Sequence, residues 1–432
     1  MDSLILIFVA LAALLLAGVP IPFALGGASL VVIVHDGLPL TIIAQQAYRA
    51  LDSFVMLAVP FFLFVGILMN VSAITARLLE FTGAMFGRTH GALAKINVVV
   101  SMLFGGLSGS SVADVAGIGS VLIPAMIKEG YPRGFSVAIT AASSTIGIII
   151  PPSIFMVVYG AAGDVSIGAM FLGGAVPGVL IGLTQLAYTT YLGRKHGHPR
   201  GEPFSFPRLA RAAVRGVLPF GLTVLIIGGI IGGIFTATEA AAVGVMYVLA
   251  LALFVYRSLT LSSFTQAIKE SADTLGPTML CVAMGSLFAW VLAYLHVPTM
   301  VETLVNSMKP TPVMVLLFIM VLFVIVGTFE SGVASIIIFL PIVKPLGDAA
   351  GLHPVHVGVI VCMTLALGLI TPPYGLCLFI AAKIGGMSVE KAFLATLPFI
   401  VLFLIVDLVC VVLPEVVLFL PKLVLPEFMG VK

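Results

Sequence analysis

Several residues able to do chemistry stand in this chain where lipid would be expected. The stretch GGLSGSSVADVAGIGS, residues 105–120, sets Ser108, Gly109, Ser110 and Ser111 close together and places Asp114 three residues beyond Ser111. A second stretch, GTFESGVAS at 327–335, carries Thr328, Glu330 and Ser331 between Gly327 and Gly332. Two proline pairs complete the set, in GIIIPPS at 147–153 and GLITPPY at 368–374. A proline pair removes two backbone N–H donors and restricts the residue before it, so a helix must unwind there and release carbonyls. Unwound carbonyls and uncharged hydroxyls are hard oxygen ligands suited to Na⁺, and helix N-termini beside them suit an anion.

The rest of the chain dictates where such groups sit. Of 432 residues, 61% are hydrophobic and 9% charged, with a mean hydropathy of +1.25, whereas soluble domains give about a quarter of their residues to charge. The chain therefore reads as an all-α polytopic membrane protein with room for about ten to twelve spans of roughly 20 residues. A net charge of +2 without a basic stripe excludes nucleic acid, which needs many phosphate contacts. Cys281, Cys362, Cys377 and Cys410 lie in apolar runs without metal-ligand spacing and read as small hydrophobes. His196 and His198 stand in a basic polar stretch, where a lone HxH reads as solvated rather than metal-bound.

Between Lys95 and Lys128 the only charge is Asp114, over 32 residues. As one helix these would reach about 48 Å, too long for a hydrocarbon core of roughly 30 Å, yet too few for two crossings and a turn. Two half-helices meeting at the Gly/Ser cluster, a re-entrant hairpin, fit the length. The same arithmetic applies between Lys309 and Lys344, where Glu330 is the only charge among 34 residues. Spans are expected at 3–35 (long, or broken at Pro20 and Pro22), 54–71, 135–160, 168–192, 217–235, 240–256, 276–295, 355–382 and 392–413. Connectors are expected at 77–95 and 262–273.

Each proline pair is preceded by a hairpin and followed 25 residues later by another proline, Pro177 and Pro398. This marks a duplicated unit. The stretch 193–216 holds Arg194, Lys195, Arg200, Arg208, Arg211 and Arg215 against Glu202, and is cytoplasmic by the positive-inside rule. Counting crossings from it puts Arg77, Arg88, Lys95, Lys128 and Arg133 inside and Lys309 and Lys344 outside. The second unit is thus inverted, as in many secondary transporters. The expected organisation is 1–94 scaffold helices with an amphipathic connector, 95–192 a first transport repeat, 193–216 a basic cytoplasmic loop, 217–308 further scaffold, and 309–432 a second transport repeat.

Two cages follow, one from Ser108, Gly109, Ser110 and Ser111 with Gly147 and Ile150, the other from Gly327, Thr328, Ser331 and Gly332 with Gly368 and Thr371. Small residues also suit plain helix packing, and it is the duplication that favours ion binding. Asp114 and Glu330 admit functional and structural roles alike. Glu239, after Thr238 in FTATEAAAVG, reads as a helix-capping acid.

The strings FGGLSGSSVADVAGIGS, IPAMIKEGYPRGFSVAITAASSTIGIIIPPS, GGIFTATEAAAVG and LGLITPPYGLCLFIAA resemble the large membrane subunit of the tripartite ATP-independent periplasmic (TRAP) transporters, nearly end to end. The resemblance implies a Na⁺-driven importer of small organic acids in a bacterial inner membrane. It further implies an elevator fold with two re-entrant hairpins and two unwound helices, a small four-span membrane subunit and a periplasmic substrate-binding protein as partners. Its sodium sites fall at Ser108 and Ser110 with Gly147 and Pro152, and at Gly327 with Gly368 and Thr371. Expected substrate contacts are Ser111, Ser153, Ser331 and Tyr374. Two rival readings stand beside it: an intramembrane serine protease using Ser108 in GLSG at 106–109, and a stand-alone Na⁺/carboxylate symporter.

Overall fold

The structure, a computed structural model, describes residues 3–429 apart from 73, 88, 202 and 204. Arg88 and Glu202, counted among the loop charges above, lie outside the described residues, as does the side chain of Arg215. The described chain is helical. In order its helices are α1 (Ser3–Leu16), α2 (Ile21–His35), α3 (Thr41–Leu51), α4 (Ala58–Val71), α5 (Ile74–Met85), α6 (Ala92–Ser108), α7 (Ser111–Lys128), α8 (Arg133–Ser144), α9 (Ile154–Gly163) and α10 (Ile167–Lys195). They continue with α11 (Phe206–Ile231), α12 (Ala237–Ala250), α13 (Leu261–Tyr294), α14 (Val297–Met308), α15 (Pro312–Gly327), α16 (Gly332–Ala349), α17 (Pro354–Gly368), α18 (Leu376–Gly385), α19 (Val389–Val412) and α20 (Pro414–Val424).

Among the described residues six helices are long and apolar enough to cross a membrane, or eight if the bent pairs α4–α5 and the two parts of α11 each count as one span. This is fewer than the ten to twelve expected from apolar content, because much of that content lies in helices of 10–17 residues, too short to span alone. The segment 3–35 is broken, and it folds back on itself. Helix α1 ends at Leu16 and Pro20 precedes α2, and the Ser3 hydroxyl donates to Asp36 Oδ1 at 2.6 Å, so α1 and α2 are antiparallel.

Two further expectations are corrected. The connector 262–273 and the span 276–295 are one continuous helix, α13, capped by Thr260, whose side chain accepts from the Ser263 amide. The stretch 193–216 is a loop only between Lys195 and Phe206, since α10 and α11 extend into it. Nor is His198 solvated. It is 6% exposed, its ring 5.1 Å from Tyr131 and 4.9 Å from Phe135, and among the described residues no group of His, Cys, Asp or Glu could hold a metal. All four cysteines are buried and free.

Two apolar cores organise the helices. One joins α1, α2, α13 and α14 through Ile7, Leu25, Val32, Leu287, Phe288 and Val297, and meets α16 at Ala334. The larger joins the two duplicated units. At its centre α17 is buried at every position from Val355 to Gly368, as its apolar residues on all sides dictate. The units interlock, because α7 packs on α18 and α16 packs on α9. The second arm of each hairpin region thus rests on the second half of the other unit's interrupted helix.

Candidate functional site

Gly105 and Gly147 bring the two interrupted elements of the first unit into backbone contact. A Cβ on Gly105 would lie 2.5 Å from Gly147 Cα, and one on Gly109 would lie 2.6 Å from the Pro152 carbonyl oxygen. Gly109 itself has φ +62° as it ends α6, a conformation that costs glycine nothing. Beyond it the chain restarts as α7, where Ser110 Oγ accepts from the Ala113 amide at 3.3 Å. The Ile154 amide donates to the Gly109 carbonyl at 3.4 Å. Helix α8 passes through a 3-10 turn at Thr145–Ile148 and stops at the proline pair. Among the described residues no hydrogen bond reaches the carbonyls of Ile150, Pro151 or Pro152.

The second unit repeats this at a spacing of 221 residues: Gly368 answers Gly147, Ser331 answers Ser110, and Pro372 answers Pro151. Gly327 lies against Gly368, where any Cβ would overlap the Gly327 carbonyl. Ser331 caps α16 by accepting from the Ala334 amide at 3.3 Å. The Tyr374 amide donates to the Thr328 carbonyl at 2.8 Å. Both proline pairs contain a cis peptide. The hydroxyls of Thr328 and Thr371 donate to the Ile325 and Leu367 carbonyls, each at 2.7 Å, which leaves their oxygens able to accept or to coordinate.

The two acids are not counterparts. At the same spacing Asp114 answers Ser335, while Glu330 answers Gly109. Asp114 is 1% exposed in the first turn of α7, hydrogen-bonded by the Ser101 side chain and with Oδ2 unpartnered. Glu330 precedes the α16 cap and is half-buried beside Ser331.

A cavity of about 370 Å³ lies between the two hairpin regions. Ser110, Ser111, Ser331, Gly332 and Tyr374 line it, so three of the four expected substrate contacts meet there. Ser153 does not: it is fully buried, caps α9, and donates to the Ile148 carbonyl at 2.5 Å. Gly332 faces this cavity, against the Phe155 ring. The N-terminal residues of α7, α9, α16 and α18 all reach the lining, so four positive helix ends converge on one space. The remaining walls are α4, with Val59, Leu63 and Ile67, and α13, with Glu270, Thr274 and Thr278. Sequence reasoning missed the three on α13, although their spacing of four residues signals one helical face.

Ser108 is fully buried, and its Oγ lies 3.4 Å from the Ser110 amide. The buried His356 is hydrogen-bonded to the Cys410 carbonyl at 2.8 Å and His90 to Arg200 at 3.0 Å, and among the described residues no hydrogen bond joins a histidine to Ser108. Near the start of α12, Thr236 rather than Thr238 is the cap, and Glu239 closes a capping box with it. Thr238 donates instead to the Phe54 carbonyl at 2.7 Å.

Residues 8–416 match the family described as "Tripartite ATP-independent periplasmic transporter, DctM component". The large permease protein SiaM of a sialic acid TRAP transporter from Vibrio cholerae is 35% identical over 413 residues, 95% of this chain and 97% of that protein. The C4-dicarboxylate large permease protein DctM from Pseudomonas aeruginosa is 38% identical over 383 residues, 88% of this chain and 89% of that one. The isethionate permease protein DctMQ of Oleidesulfovibrio alaskensis is 38% identical over 97% of this chain, which spans 66% of its length. Among solved structures, the YdaH transporter of Alcanivorax borkumensis shares the fold, with a TM-score of 0.59, 16% identity and 86% of each chain covered. These relatives are named as transporters or transporter permeases, not proteases, and the chain belongs to the DctM component family of the tripartite ATP-independent periplasmic transporters.

Proposed function

We propose that this chain is the translocating subunit of a Na⁺-coupled importer of a small organic acid in a bacterial inner membrane. Its partners in this reading are a small four-span membrane subunit and a periplasmic substrate-binding protein. The observation that carries it is the convergence of four helix N-termini on a cavity lined by the hydroxyls of Ser110, Ser111, Ser331 and Tyr374. Amide donors and dipole ends of one sign suit a carboxylate, and hydroxyls suit its neighbouring polar groups. The cargoes in the relatives' names, sialic acid, C4-dicarboxylate and isethionate, are all organic acids.

Sodium would sit where the glycine contacts press hairpin against interrupted helix. In the first unit the ligands are Ser108, Ser110, Gly147, Ile150 and Pro152. In the second they are Gly327, Thr328, Gly368 and Thr371. The interlocking of α7 with α18 and α9 with α16 supports motion of both units as one body against the core of α1, α2, α13 and α14, which is an elevator movement. The cavity extends along α13 to the exposed Glu270, an end that the positive-inside count assigns to the cytoplasm, so the conformation reads as inward-facing.

The test is uptake into proteoliposomes containing this chain and its small partner, with the Na⁺ gradient and the binding protein each supplied or withheld. Uptake should require both. Uptake unchanged without Na⁺ would remove the ion cages, and uptake indifferent to the binding protein would point to a stand-alone symporter.

A further inference from the structure

A second cavity, of about 420 Å³, continues from the first along the same four helices. On α13, Glu270, Thr274 and Thr278 line the first cavity, and Val282, Ser286 and Ala289 the second. On α16 the order is Ser331 to Val333 and then Ile337 to Pro345, and on α9 Ile154 and Phe155 and then Ala161 and Ala162. Helix α4 runs the other way, so that Met56 just before it lines the second cavity and Val59 to Ile67 the first. The two spaces are therefore stacked on one axis. Phe155 of the first cavity covers Gly332, and Ile337 of the second fills the place that a side chain on Gly285 would take.

The second cavity differs from the first in charge. Arg49 on α3 and Lys344 on α16 line it, together with the hydroxyl-bearing Ser53 and Ser286, and no carboxylate does. Lys344 Nζ donates to the Gly163 carbonyl at the end of α9, at 2.7 Å. That bond fixes the ammonium at the carbonyl end of α9 and brings no carboxylate to it. Asp52, Asp164 and Asp348 are close in sequence, but among the described residues neither cation lies within ion-pair distance of a carboxylate. Two uncompensated cations in one concave site favour an anion between them, and the planar guanidinium matches a carboxylate through paired hydrogen bonds.

We propose that this cavity is a receiving site, where Arg49 and Lys344 hold the carboxylate of the arriving acid before the contact of Ile337 on α16 with Gly285 on α13 slides apart. Arg49 comes from the helices packed around α13, and Lys344 from the moving unit. Movement of α16 therefore separates the two cations and weakens their shared hold, which releases the anion toward the inner cavity. The proposal rests on the transport reading above and on the charge count that places Lys344 outside. An anionic lipid headgroup presents similar chemistry, and the experiment separates it from the substrate.

The test compares the complete transporter with an Arg49→Gln/Lys344→Gln variant in phosphatidylcholine liposomes, with and without phosphatidylglycerol. The half-saturating concentration for uptake should rise about tenfold, the scale of a lost charge-assisted contact, while the maximal rate and the Na⁺ dependence stay near those of the parent. An independent readout uses Ala289→Cys, since the native cysteines are buried. Modification of the introduced thiol by an anionic thiosulfonate should outrun that by a cationic one, should be slowed by millimolar succinate, and should lose its preference in the doubly substituted background. Unchanged uptake and an unchanged preference would overturn the site. Slowing by phosphatidylglycerol but not by succinate would assign it to lipid and overturn it too. If the parent transports no carboxylate, the transport reading fails, and protection of the introduced thiol by succinate still decides whether the cavity binds carboxylates.

Discussion

Replacing Gly105 by alanine tests the proposed first sodium site without touching any side chain proposed as a ligand. The new Cβ would stand 2.5 Å from Gly147 Cα and 3.2 Å from its nitrogen, where carbon atoms settle at about 3.5–4.0 Å. The hairpin must then retreat from the interrupted helix by about 1 Å. Overpacking of this kind costs about 1–3 kcal/mol of stability. A retreat of 1 Å also removes one or two oxygen ligands from an ion bridging the two elements. At the scale of a hydrogen bond to a charged group, about 1.5–3 kcal/mol, the Na⁺ concentration for half-maximal uptake should rise at least tenfold. Gly83, with no atom within 4 Å of its would-be Cβ, supplies the control, since Gly83→Ala should leave Na⁺ dependence unchanged and stabilise α5 slightly. Thermal unfolding with and without Na⁺ reports whether the variant is folded. A folded Gly105→Ala protein with the parent's Na⁺ titration curve would refute the assignment of an ion to this contact. Gly368→Ala makes the same test of the second unit, where the overlap with the Gly327 carbonyl is more severe.

Three more outcomes are expected. Thr236→Ala removes the capping box that closes onto Glu239 and should cost about 1 kcal/mol, seen as a lower melting temperature with uptake kinetics unchanged. Glu270→Gln takes away the only charged group lining the inner cavity; a dicarboxylate should then compete about two- to fivefold better for uptake, an effect that fades at high salt. Burial, reinforced by the neighbouring His196, holds the His198 imidazole below its ordinary value, so the open loop binds a proton more readily than the closed one. Stability from this contact is full above the unperturbed value of about 6.5 and declines as pH falls below it. Hydrogen exchange at His198 and Gly91, whose amides donate to the Gly193 and Pro199 carbonyls, should therefore accelerate beyond the intrinsic rate change from pH 7 to pH 5.5. Equal protection at both pH values would show that His198 does not titrate there.

The parts of the site that were legible are those that obey local rules. The break between α6 and α7 follows from length and both interruptions from paired prolines, whereas the capping by Ser110 and Ser331 emerged only in the fold. The 221-residue spacing lets each half check the other. What sequence reading missed depends on tertiary packing. Glu270, Thr274 and Thr278 share a helical face, but only the fold decides what that face meets. The polar start of α13 looked like a connector because its partners are not its sequence neighbours. The pairing of Asp114 with Glu330 as lone acids failed for a different reason. A shared rarity is not a shared position, and counting from the caps separates them by one turn and a break.

The glycine contacts carry a consequence for how such a protein can diversify. Where Gly105 meets Gly147 and Gly327 meets Gly368, backbone touches backbone, and no side chain intervenes to be exchanged for a slightly larger or more polar one. On the proposed function, even the smallest substitution at these contacts weakens the ion sites, so they tolerate little change. The α13 wall of the cavity is built from ordinary side chains that can be replaced singly. On the proposed function, cargo preference can drift there while the proposed link to the ion is inherited intact, so one chassis could serve many acids.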